Sequence, residues 1–376
     1  MSPVDVIIVG AGPVGLDLAN RLLLDGRTVA LLESRTLRGG YSRSIGIHAP
    51  SLELLTDTGV TDALVAAGIP ITEGVGFIDS KPIGTLRLDD GPPPFQFVLA
   101  IPQNRTEEIM EERLRSLSPD ALRLGVRVQS VTLAEHGVSV HTAEDDTIRG
   151  RFLVGCDGMR STIRESLGIS WTGGAYTDSY AMADFRDDSD LDSRAAIFLT
   201  RPGLVESFPL PDGQRRWVVR TETLRKTPSP EALAFLVSER TGLELDPGTA
   251  SGVMGFGVNR FLAGSMAKGR ALLAGDAAHV ISPIGGQGMN IGWMDSQHAS
   301  LVLGAALSQR SGYEEAFAAY WARQRQIATR AARRAEFNMA FGRPGPWAPF
   351  VRTAARLMLK PPFRKYFTRQ FTMRGL

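Results

Sequence analysis

Residues 4–15 have the sequence Val-Asp-Val-Ile-Ile-Val-Gly-Ala-Gly-Pro-Val-Gly, and this stretch decides the fold. Its first half contains the unbroken apolar run Val6–Val9, which is typical of a parallel strand buried on both faces. The run stops at Gly10 and an amphipathic segment follows, so the pattern G-x-G-x-x-G lies between a strand and a helix. There the glycines allow a tight turn (Gly10), a close approach to a pyrophosphate (Gly12) and close helix–strand packing (Gly15). The free N–H groups of the helix start then face the phosphates.

An acidic residue after the next strand supports the same interpretation. Thr28–Leu32 is a second apolar run, and Glu33 follows it, 18 residues after Gly15. This spacing is close to the ~20 residues at which an acid binds a ribose hydroxyl in dinucleotide-binding units. We therefore predict a dinucleotide-binding βαβ unit at the N-terminus.

Two further apolar runs end in a glycine with an acid close by. Phe152–Val154 leads into Gly155-Cys156-Asp157, and Ala271–Ala274 leads into Gly275-Asp276. Ligands of doubly wound sheets bind outside the carboxyl ends of the strands. The three strand ends are therefore predicted to meet and to hold one extended ligand.

Composition limits the class of protein. The chain has 376 residues, 43% hydrophobic and 22% charged, which is ordinary for a globular protein of two or three packed units. Its one cysteine, Cys156, excludes a disulfide framework and a cysteine-based metal site, and no metal site is predicted. No apolar stretch approaches the ~18 residues that span a bilayer, and no basic leader precedes the first strand. We expect a cytoplasmic protein.

The C-terminal region is strongly basic although the net charge is only +2. From Arg323 onward there are 13 Lys or Arg and one acid, Glu336, so the remainder carries 29 basic and 39 acidic residues. A basic tail can bind an anionic partner or a membrane surface. Prolines interrupt the tail, so we favour packing against the acidic body over membrane association, and we predict no nucleic-acid partner.

Hydrophobic periodicity divides the chain into three parts. Short alternating segments at 75–97 and 171–261 indicate a mainly antiparallel sheet that forms a substrate domain. Long helical patterns cover Ile291–Leu307 and Tyr313–Phe341. We predict an α/β fold in which 1–74, 98–170 and 262–310 form a Rossmann-like cofactor domain with a parallel sheet, and 311–376 form a helical region.

Taken together, the strand-end motifs resemble those of the group A flavoprotein monooxygenases, the para-hydroxybenzoate hydroxylase-like, single-component FAD enzymes that hydroxylate aromatic compounds. The segment Asp157-Gly158-Met159-Arg160-Ser161-Thr162-Ile163-Arg164 is similar to the family's DG motif, which serves both FAD and NAD(P)H. The segment Gly275-Asp276-Ala277-Ala278-His279, with Pro283 and Gly285–Asn290, is similar to its second FAD motif.

The resemblance implies the contacts with FAD. Asp276 binds ribityl or ribose hydroxyls, and the N–H groups of Gly286–Asn290 face the flavin N1 and C2 carbonyl, where a helix start stabilises negative charge. Gln103 resembles the family's ribityl-binding glutamine, and Arg43 a cofactor arginine in a mobile loop. The role of Arg35 stays open, because members often carry arginine directly after the ribose-binding acid, where Ser34 stands here. The predicted cofactor-binding residues are Gly10, Gly12, Pro13, Val14, Gly15, Glu33, Ser34, Arg35, Arg43, Gln103, Asp157, Gly275, Asp276, Pro283, Gly286, Gly288, Met289 and Asn290.

The implied reaction consumes NAD(P)H and O₂. FAD is reduced, O₂ adds at flavin C4a, and the hydroperoxide delivers one oxygen atom to a phenol or a polyketide-like polycycle. We expect a monomer or homodimer. The alternatives are another flavoprotein on the same scaffold, a halogenase or a prenyl-lipid reductase, and a non-catalytic flavin-binding interaction protein. The Trp-x-Trp-x-x-Pro pattern of tryptophan halogenases is missing.

Contacts with the substrate stay open in the sequence. A base that deprotonates a phenol suits the chemistry; His48 and His279 are the histidines nearest the motifs, although packing fits His279 better. Arg160 is a candidate for contact with a pyridine-nucleotide phosphate. Half of the side chains on a strand face the wrong side, so no choice is made among five candidate pocket residues: Phe185, Phe208, Trp217, Arg220 and Phe256.

Overall fold

The computed structural model describes residues 3–37, 39, 44–89, 91–308, 312–345, 348–360, 363, 368–369 and 371–374. In chain order, the strands in this part of the chain are β1 (Val4–Val9), β2 (Val29–Glu33), β3 (Gly46–Ile47), β4 (Ile69–Ile71), β5 (Glu73–Ile78), β6 (Lys81–Arg87), β7 (Val98–Ala100), β8 (Leu122–Leu124), β9 (Val128–Ala134), β10 (Gly137–Thr142), β11 (Thr147–Gly155), β12 (Trp171–Arg186), β13 (Ala195–Leu199), β14 (Leu204–Leu210), β15 (Gln214–Thr221), β16 (Ser251–Ala263), β17 (Ala267–Lys268), β18 (Ala271–Leu273) and β19 (His279–Val280). The helices are α1 (Pro13–Leu24), α2 (Ala49–Leu55), α3 (Thr61–Ala67), α4 (Gln103–Leu117), α5 (Thr162–Ser166), α6 (Pro230–Thr241), α7 (Gln287–Ser308), α8 (Tyr313–Phe341) and α9 (Ala348–Met358).

The first large sheet has the strand order β17-β18-β11-β1-β2-β8, extended beside β11 by β10 and β9. Neighbours from β18 to β8 run parallel, while the hairpin β9–β10 and the pair β17–β18 are antiparallel. Ile7, Ile8 and Leu153 are fully buried in it, as a parallel sheet with two covered faces requires. The predicted parallel sheet of an α/β fold is confirmed.

The register of this sheet brings the predicted strand ends together. Val9 lies beside Leu32 and beside Gly155, and Gly155 lies beside Leu273. The four residues form one row across β2, β1, β11 and β18, so the turns that follow leave the sheet at the same edge. The prediction that the three buried strands end side by side is confirmed.

Two helices begin earlier than their hydrophobic patterns indicated. α1 begins at Pro13, before the amphipathic segment Leu16–Asp25 of the sequence, and α7 begins at Gln287 rather than at Ile291. Glycine and polar residues of a first turn carry no helical periodicity, so the pattern starts one turn late. As a result, Gly288, Met289 and Asn290 belong to the first turn of α7. The predicted limits of the following helix, Tyr313–Phe341, agree with α8.

The second large sheet has the order β19-β16-β12-β15-β14-β13-β5-β6. Neighbouring strands are antiparallel except for β13 and β5, so the predicted mainly antiparallel sheet is confirmed. One face packs against α6, where Phe185, Trp217 and Leu233 are fully buried in a common apolar cluster. Alternate residues point away from that cluster.

The basic C-terminal region forms ion pairs with acids of the body. Arg343 lies 2.6 Å from Asp178, Arg352 lies 3.3 Å from Asp79, and Arg374 lies 2.7 Å from Glu53. These pairs fit the packing that was favoured for the tail. Within the described residues, no helix has the length and hydropathy needed to cross a membrane.

Candidate active site

A cavity of about 990 Å³ is lined by the turns at the edge of the first sheet and by one face of the second sheet. Gly10, Gly15, Glu33, Ser34, Asp157 and Asn290 are not on its wall. Arg43 lies outside the described residues. The predicted cofactor residues on the wall are Gly12, Pro13, Val14, Arg35, Gln103, Gly275, Asp276, Pro283, Gly286, Gly288 and Met289.

The three glycines of the first motif differ in their surroundings. Gly10 has φ +100, and a Cβ there would lie 2.3 Å from the carbonyl oxygen of Cys156. A Cβ at Gly15 would lie 2.0 Å from the carbonyl oxygen of Gly10. A Cβ at Gly12 would meet no atom within 4 Å. Gly10 and Gly15 are therefore needed for packing, whereas Gly12 leaves open space on the cavity wall.

Glu33 lies behind the first turn and orients a neighbour. Its carboxylate accepts hydrogen bonds from the backbone N–H of Ala11 at 3.0 Å and from Nε of Arg35 at 3.1 Å. Burial alone would raise the pKa of Glu33, but the hydrogen bonds from Arg35 and Ala11 hold it below its ordinary value. The Arg35 side chain reaches the cavity wall, so this arginine and not the acid faces the cavity.

Asp157 and the arginines after it have separate tasks. One carboxylate oxygen of Asp157 accepts a hydrogen bond from the backbone N–H of Ile163 at 3.1 Å, at the start of α5. Arg164 is only 3% exposed and donates to the carbonyl oxygen of Ala277 at 3.1 Å. It therefore links the second and third turns. Arg160 is exposed and lines the cavity.

A buried carboxylate that the sequence did not reveal supports the third turn. Asp295, in α7, accepts hydrogen bonds from the backbone N–H of Gly275 at 2.8 Å, from Nε2 of His279 at 2.6 Å and from Gln324 at 2.7 Å. Burial would lower the pKa of His279, but Asp295 raises it above its ordinary value. His279 is thus a buried partner of Asp295, in agreement with a packing role.

Asn290 and His48 hold the glycine loop before α7. Oδ1 of Asn290 accepts from the backbone N–H of His48 at 2.9 Å, and Nδ2 donates to the carbonyl oxygens of Gly46 at 2.9 Å and Gly286 at 2.7 Å. Nε2 of His48 lies 3.2 Å from the carbonyl oxygen of Gly285. Burial lowers the pKa of His48 to about 4, so the ring is neutral at pH 7 and its Nε2–H donates to Gly285.

The arrangement of the second sheet determines which candidate pocket residues face the cavity. Phe208 and Phe256 line it. Phe185 and Trp217 lie on the opposite face, in the cluster beneath α6. Arg220 is not on the wall, and its Nε donates to Asp178 at 3.2 Å. The alternation of side chains across a strand explains why Phe185 and Trp217 point away from the cavity.

Glu206 is a further wall residue that the sequence did not single out. It is 7% exposed and lines the cavity, and burial raises its pKa from 4.5 to about 7. The available signal was its spacing in Leu-Val-Glu-Ser-Phe-Pro-Leu (204–210), where Glu206 and Phe208 share a face of β14.

The wild type should lose stability as the pH rises from about 5 to about 8, and we expect Glu206→Gln to lose less. A carboxyl whose pKa is higher in the folded state does not lower the free energy of unfolding at a pH below its unfolded pKa. The free energy of unfolding then falls as the pH rises from 4.5 to about 7, and stays low above that value. The difference amounts to roughly 3 kcal/mol at most. Urea unfolding at both pH values measures it; a gap between wild type and variant that is the same at both would contradict the expectation.

Comparison with known proteins identifies the family. The model of the FAD binding domain family matches residues 3–335. Rifampicin monooxygenase of Streptomyces venezuelae is 31% identical over 353 residues, covering 92% of this chain and 73% of that protein. The chain spans only 54% to 64% of three other curated relatives that it matches.

Two solved structures show the same fold. OxyS anhydrotetracycline hydroxylase from Streptomyces rimosus superposes with a TM-score of 0.81 at 27% identity, covering 100% of this chain and 77% of that one. The p-nitrophenol 4-monooxygenase PnpA from Pseudomonas putida superposes with a TM-score of 0.90 at 20% identity, covering 100% and 99%. With the motifs and the sheet order, these matches agree with the resemblance seen in the sequence. The chain belongs to the FAD binding domain family and, within it, to the group A FAD-dependent aromatic monooxygenases.

Proposed function

We propose that this protein uses FAD, NAD(P)H and O₂ to hydroxylate an aromatic substrate. One observation carries the proposal: a single cavity is bounded both by the turns predicted to hold FAD and by an apolar face of the second sheet. When bound, FAD supplies the redox chemistry that activates O₂ for transfer of one oxygen atom. The protein must then hold the cofactor, orient the substrate and exclude water.

The residues on the wall fit FAD. Gly12 leaves space beside the start of α1, where a helix N-terminus favours a pyrophosphate. Asp276 is exposed and lines the cavity, so its carboxylate can accept hydrogen bonds from sugar or ribityl hydroxyls. Gly286 and Gly288 line the cavity at the start of α7, which places positive backbone charge where a reduced flavin needs it.

We assign the predicted cofactor residues to two roles. Those on the wall are proposed to contact FAD, with Gln103 at the ribityl chain and Arg35 toward the adenosine end. Glu33, Asp157 and Asn290 are proposed to act through the turns that they hold. Arg160 is proposed to contact a phosphate of NAD(P)H that docks transiently.

The part of the cavity beside the second sheet, here called the substrate chamber, is proposed to take a polycyclic, polyketide-like aromatic compound. A small phenol is the second candidate. Its wall in the second sheet includes Phe77, Met182, Phe208 and Phe256, which suits a large apolar ring system. The names rifampicin monooxygenase and anhydrotetracycline hydroxylase support the first candidate. Such a wall also excludes water from the reacting atoms.

We propose the domain division 1–74, 98–170 and 262–310 for the FAD-binding domain, 75–97 and 171–261 for the substrate domain, and 311–376 for the helical region. A cytoplasmic location is proposed because NAD(P)H must be supplied continuously. Whether NADH or NADPH serves is part of the test.

Stopped-flow mixing of the purified FAD-containing protein with NADH or NADPH under air tests the function. Oxidation of the nucleotide that a hydroxylated polycycle or phenol stimulates, with little free peroxide, supports it. Bound FAD that neither nucleotide reduces indicates the non-catalytic interaction protein instead. A requirement for halide indicates a halogenase, and reduction of a prenyl lipid without O₂ uptake indicates the reductase.

A further inference from the structure

Resting on the proposed function, we propose that Glu206 is the residue that recognises a phenolic hydroxyl of the substrate. Its carboxylate accepts the hydrogen bond of that hydroxyl and then its proton. The substrate class is thereby narrowed to aromatic compounds that carry a free hydroxyl.

The position of Glu206 in the sheet is the first support. Glu206 lies opposite Val218 on β15 and opposite Ile197 on β13, and Met182 on β12 lies opposite Val218. All four residues line the cavity, so their side chains form one row with neighbours about 5 Å apart. Glu206 is thus a carboxyl in the middle of an apolar row.

The second support is that Glu206 has no partner among the described residues. No described residue donates a hydrogen bond to it, and its raised pKa has burial as its one cause. The cations in the two adjacent rows are held by other acids. Arg216 is bound by Asp184 through bonds of 2.6 and 2.8 Å, and Arg220 is bound by Asp178 at 3.2 Å. On the other side of the row, the buried hydroxyl of Tyr180 also has no described partner. Because an unpaired buried polar group is costly, a ligand hydroxyl is the partner that explains Glu206.

The third support is the position of Glu206 relative to the loop that is proposed to hold the flavin ring. Ile284 lies between Pro283 and Gly285, and it belongs to the same buried apolar cluster as Met182 and Val218. The row that contains Glu206 is therefore packed against the loop that is proposed to hold the flavin ring. A polycyclic ring in this chamber can reach Glu206 and the flavin side of the cavity together.

The proton transfer is balanced within this pair. The phenolic O–H bond breaks, its proton forms an O–H bond with a carboxylate oxygen of Glu206, and the electron pair stays on the phenol oxygen. The ring becomes a phenolate, which is more nucleophilic, and the carboxylate becomes a neutral acid. A pKa of about 7 at Glu206 suits a base that works near neutrality. Burial lowers the pKa of His48 to about 4, which makes it a weak base near neutrality, and His279 is paired with Asp295, so neither histidine suits this role as well as Glu206.

Equilibrium binding to the oxidised, FAD-containing protein at pH 7 tests the proposal without NAD(P)H. The probes are 2-hydroxyanthraquinone, which changes colour on ionisation, and its methyl ether 2-methoxyanthraquinone. Wild type should bind the hydroxyl compound about ten-fold more tightly or better, with the difference spectrum of the phenolate. In Glu206→Gln we expect this preference to disappear and the bound probe to stay neutral.

Two variants serve as controls. Glu222→Gln makes the same chemical change at an exposed position after β15 and should behave as wild type. Glu206→Asp keeps the carboxylate and should recover part of the preference. FAD content shows whether each variant is folded.

Equal binding of both probes by wild type, binding of neither, or a phenolate spectrum that persists in Glu206→Gln would overturn the assignment. These outcomes are separate from failure of the proposed function. That failure shows in the stopped-flow assay, as bound FAD which NAD(P)H cannot reduce.

Discussion

Gly12→Ala should weaken FAD binding about 100-fold while the stability of the apoprotein stays unchanged. The Cβ of alanine would enter the open space on the cavity wall, because it meets no protein atom within 4 Å. In the proposed complex that space belongs to the pyrophosphate, which approaches the backbone closely at this glycine. An added methyl group would therefore displace the cofactor and not the protein.

The backbone of Gly12 gives no reason for a loss of stability. Its φ of −74 and ψ of −176 are extended values that alanine adopts without strain. Fluorescence titration of the apoprotein with FAD measures the affinity, and urea unfolding of the apoprotein measures the stability. Normal FAD affinity in this variant would place the cofactor away from Gly12.

Two other glycines separate cofactor binding from folding. In Gly15→Ala the new Cβ would lie 2.0 Å from the carbonyl oxygen of Gly10, so we expect loss of stability even without FAD. Gly174→Ala adds a Cβ that meets nothing within 4 Å, at an exposed position of β12, and should change neither quantity. If Gly12→Ala destabilised the apoprotein as Gly15→Ala does, the assignment of Gly12 to the cofactor would be wrong.

Asp295→Ala should lower the free energy of unfolding by about 3–5 kcal/mol. Asp295 is 1% exposed, and its carboxylate accepts hydrogen bonds from Gly275, His279 and Gln324. Removal of the carboxylate leaves these three donors unpaired in the interior, and one of them is a histidine whose pKa Asp295 raises. Urea unfolding of the wild type and the variant measures the cost.

Asp295→Asn tests the electrostatic part through its pH dependence. The pKa of His279 is above its ordinary value of 6.5 in the folded protein. The stability that this contributes is complete below pH 6.5 and is lost as the pH rises through the folded pKa. The loss of unfolding free energy in Asp295→Asn, relative to the wild type, should therefore be largest below pH 6.5 and smaller at higher pH.

A double-mutant cycle isolates the pair. In a protein that already carries His279→Phe, the change Asp295→Asn should no longer show this pH dependence. A deficit that does not vary with pH in the wild-type background would contradict the charged pair.

The sequence was sufficient for the cofactor side of the fold. Each buried strand carries its own apolar run, and its terminal glycine and acid follow directly, so local spacing predicted the turns after Val9, Gly155 and Leu273. That these turns leave one edge of the sheet followed from the general behaviour of parallel sheets. The register of Val9 beside Gly155, and of Gly155 beside Leu273, agrees with that prediction.

The substrate side was less predictable. The strand pattern showed that half of the side chains on β12 and β15 face a cavity, but not which half. In the sequence, Trp217 and Phe185 were as good candidates for the pocket wall as Phe208. In the structure, α6 covers the face of the sheet on which they lie. The sequence placed Glu206 on the same strand face as Phe208, but it did not show whether that face meets the cavity.

By itself, the sequence determined the strand–glycine–helix units, the class of the two sheets and the family to which the chain belongs, because these depend on residues within a few positions of each other. Tertiary structure alone decided which groups hold the turns in place. The hydrogen bond between His48 and Asn290 joins residues 242 positions apart, and the one between Gly275 and Asp295 spans 20. Such contacts exist only after the sheets and α7 have packed, and packing depends on shape and burial across the whole chain. The same packing buries Glu206 beside an apolar cavity, with no hydrogen-bond donor among the residues that the structure describes, and no local pattern encodes that condition.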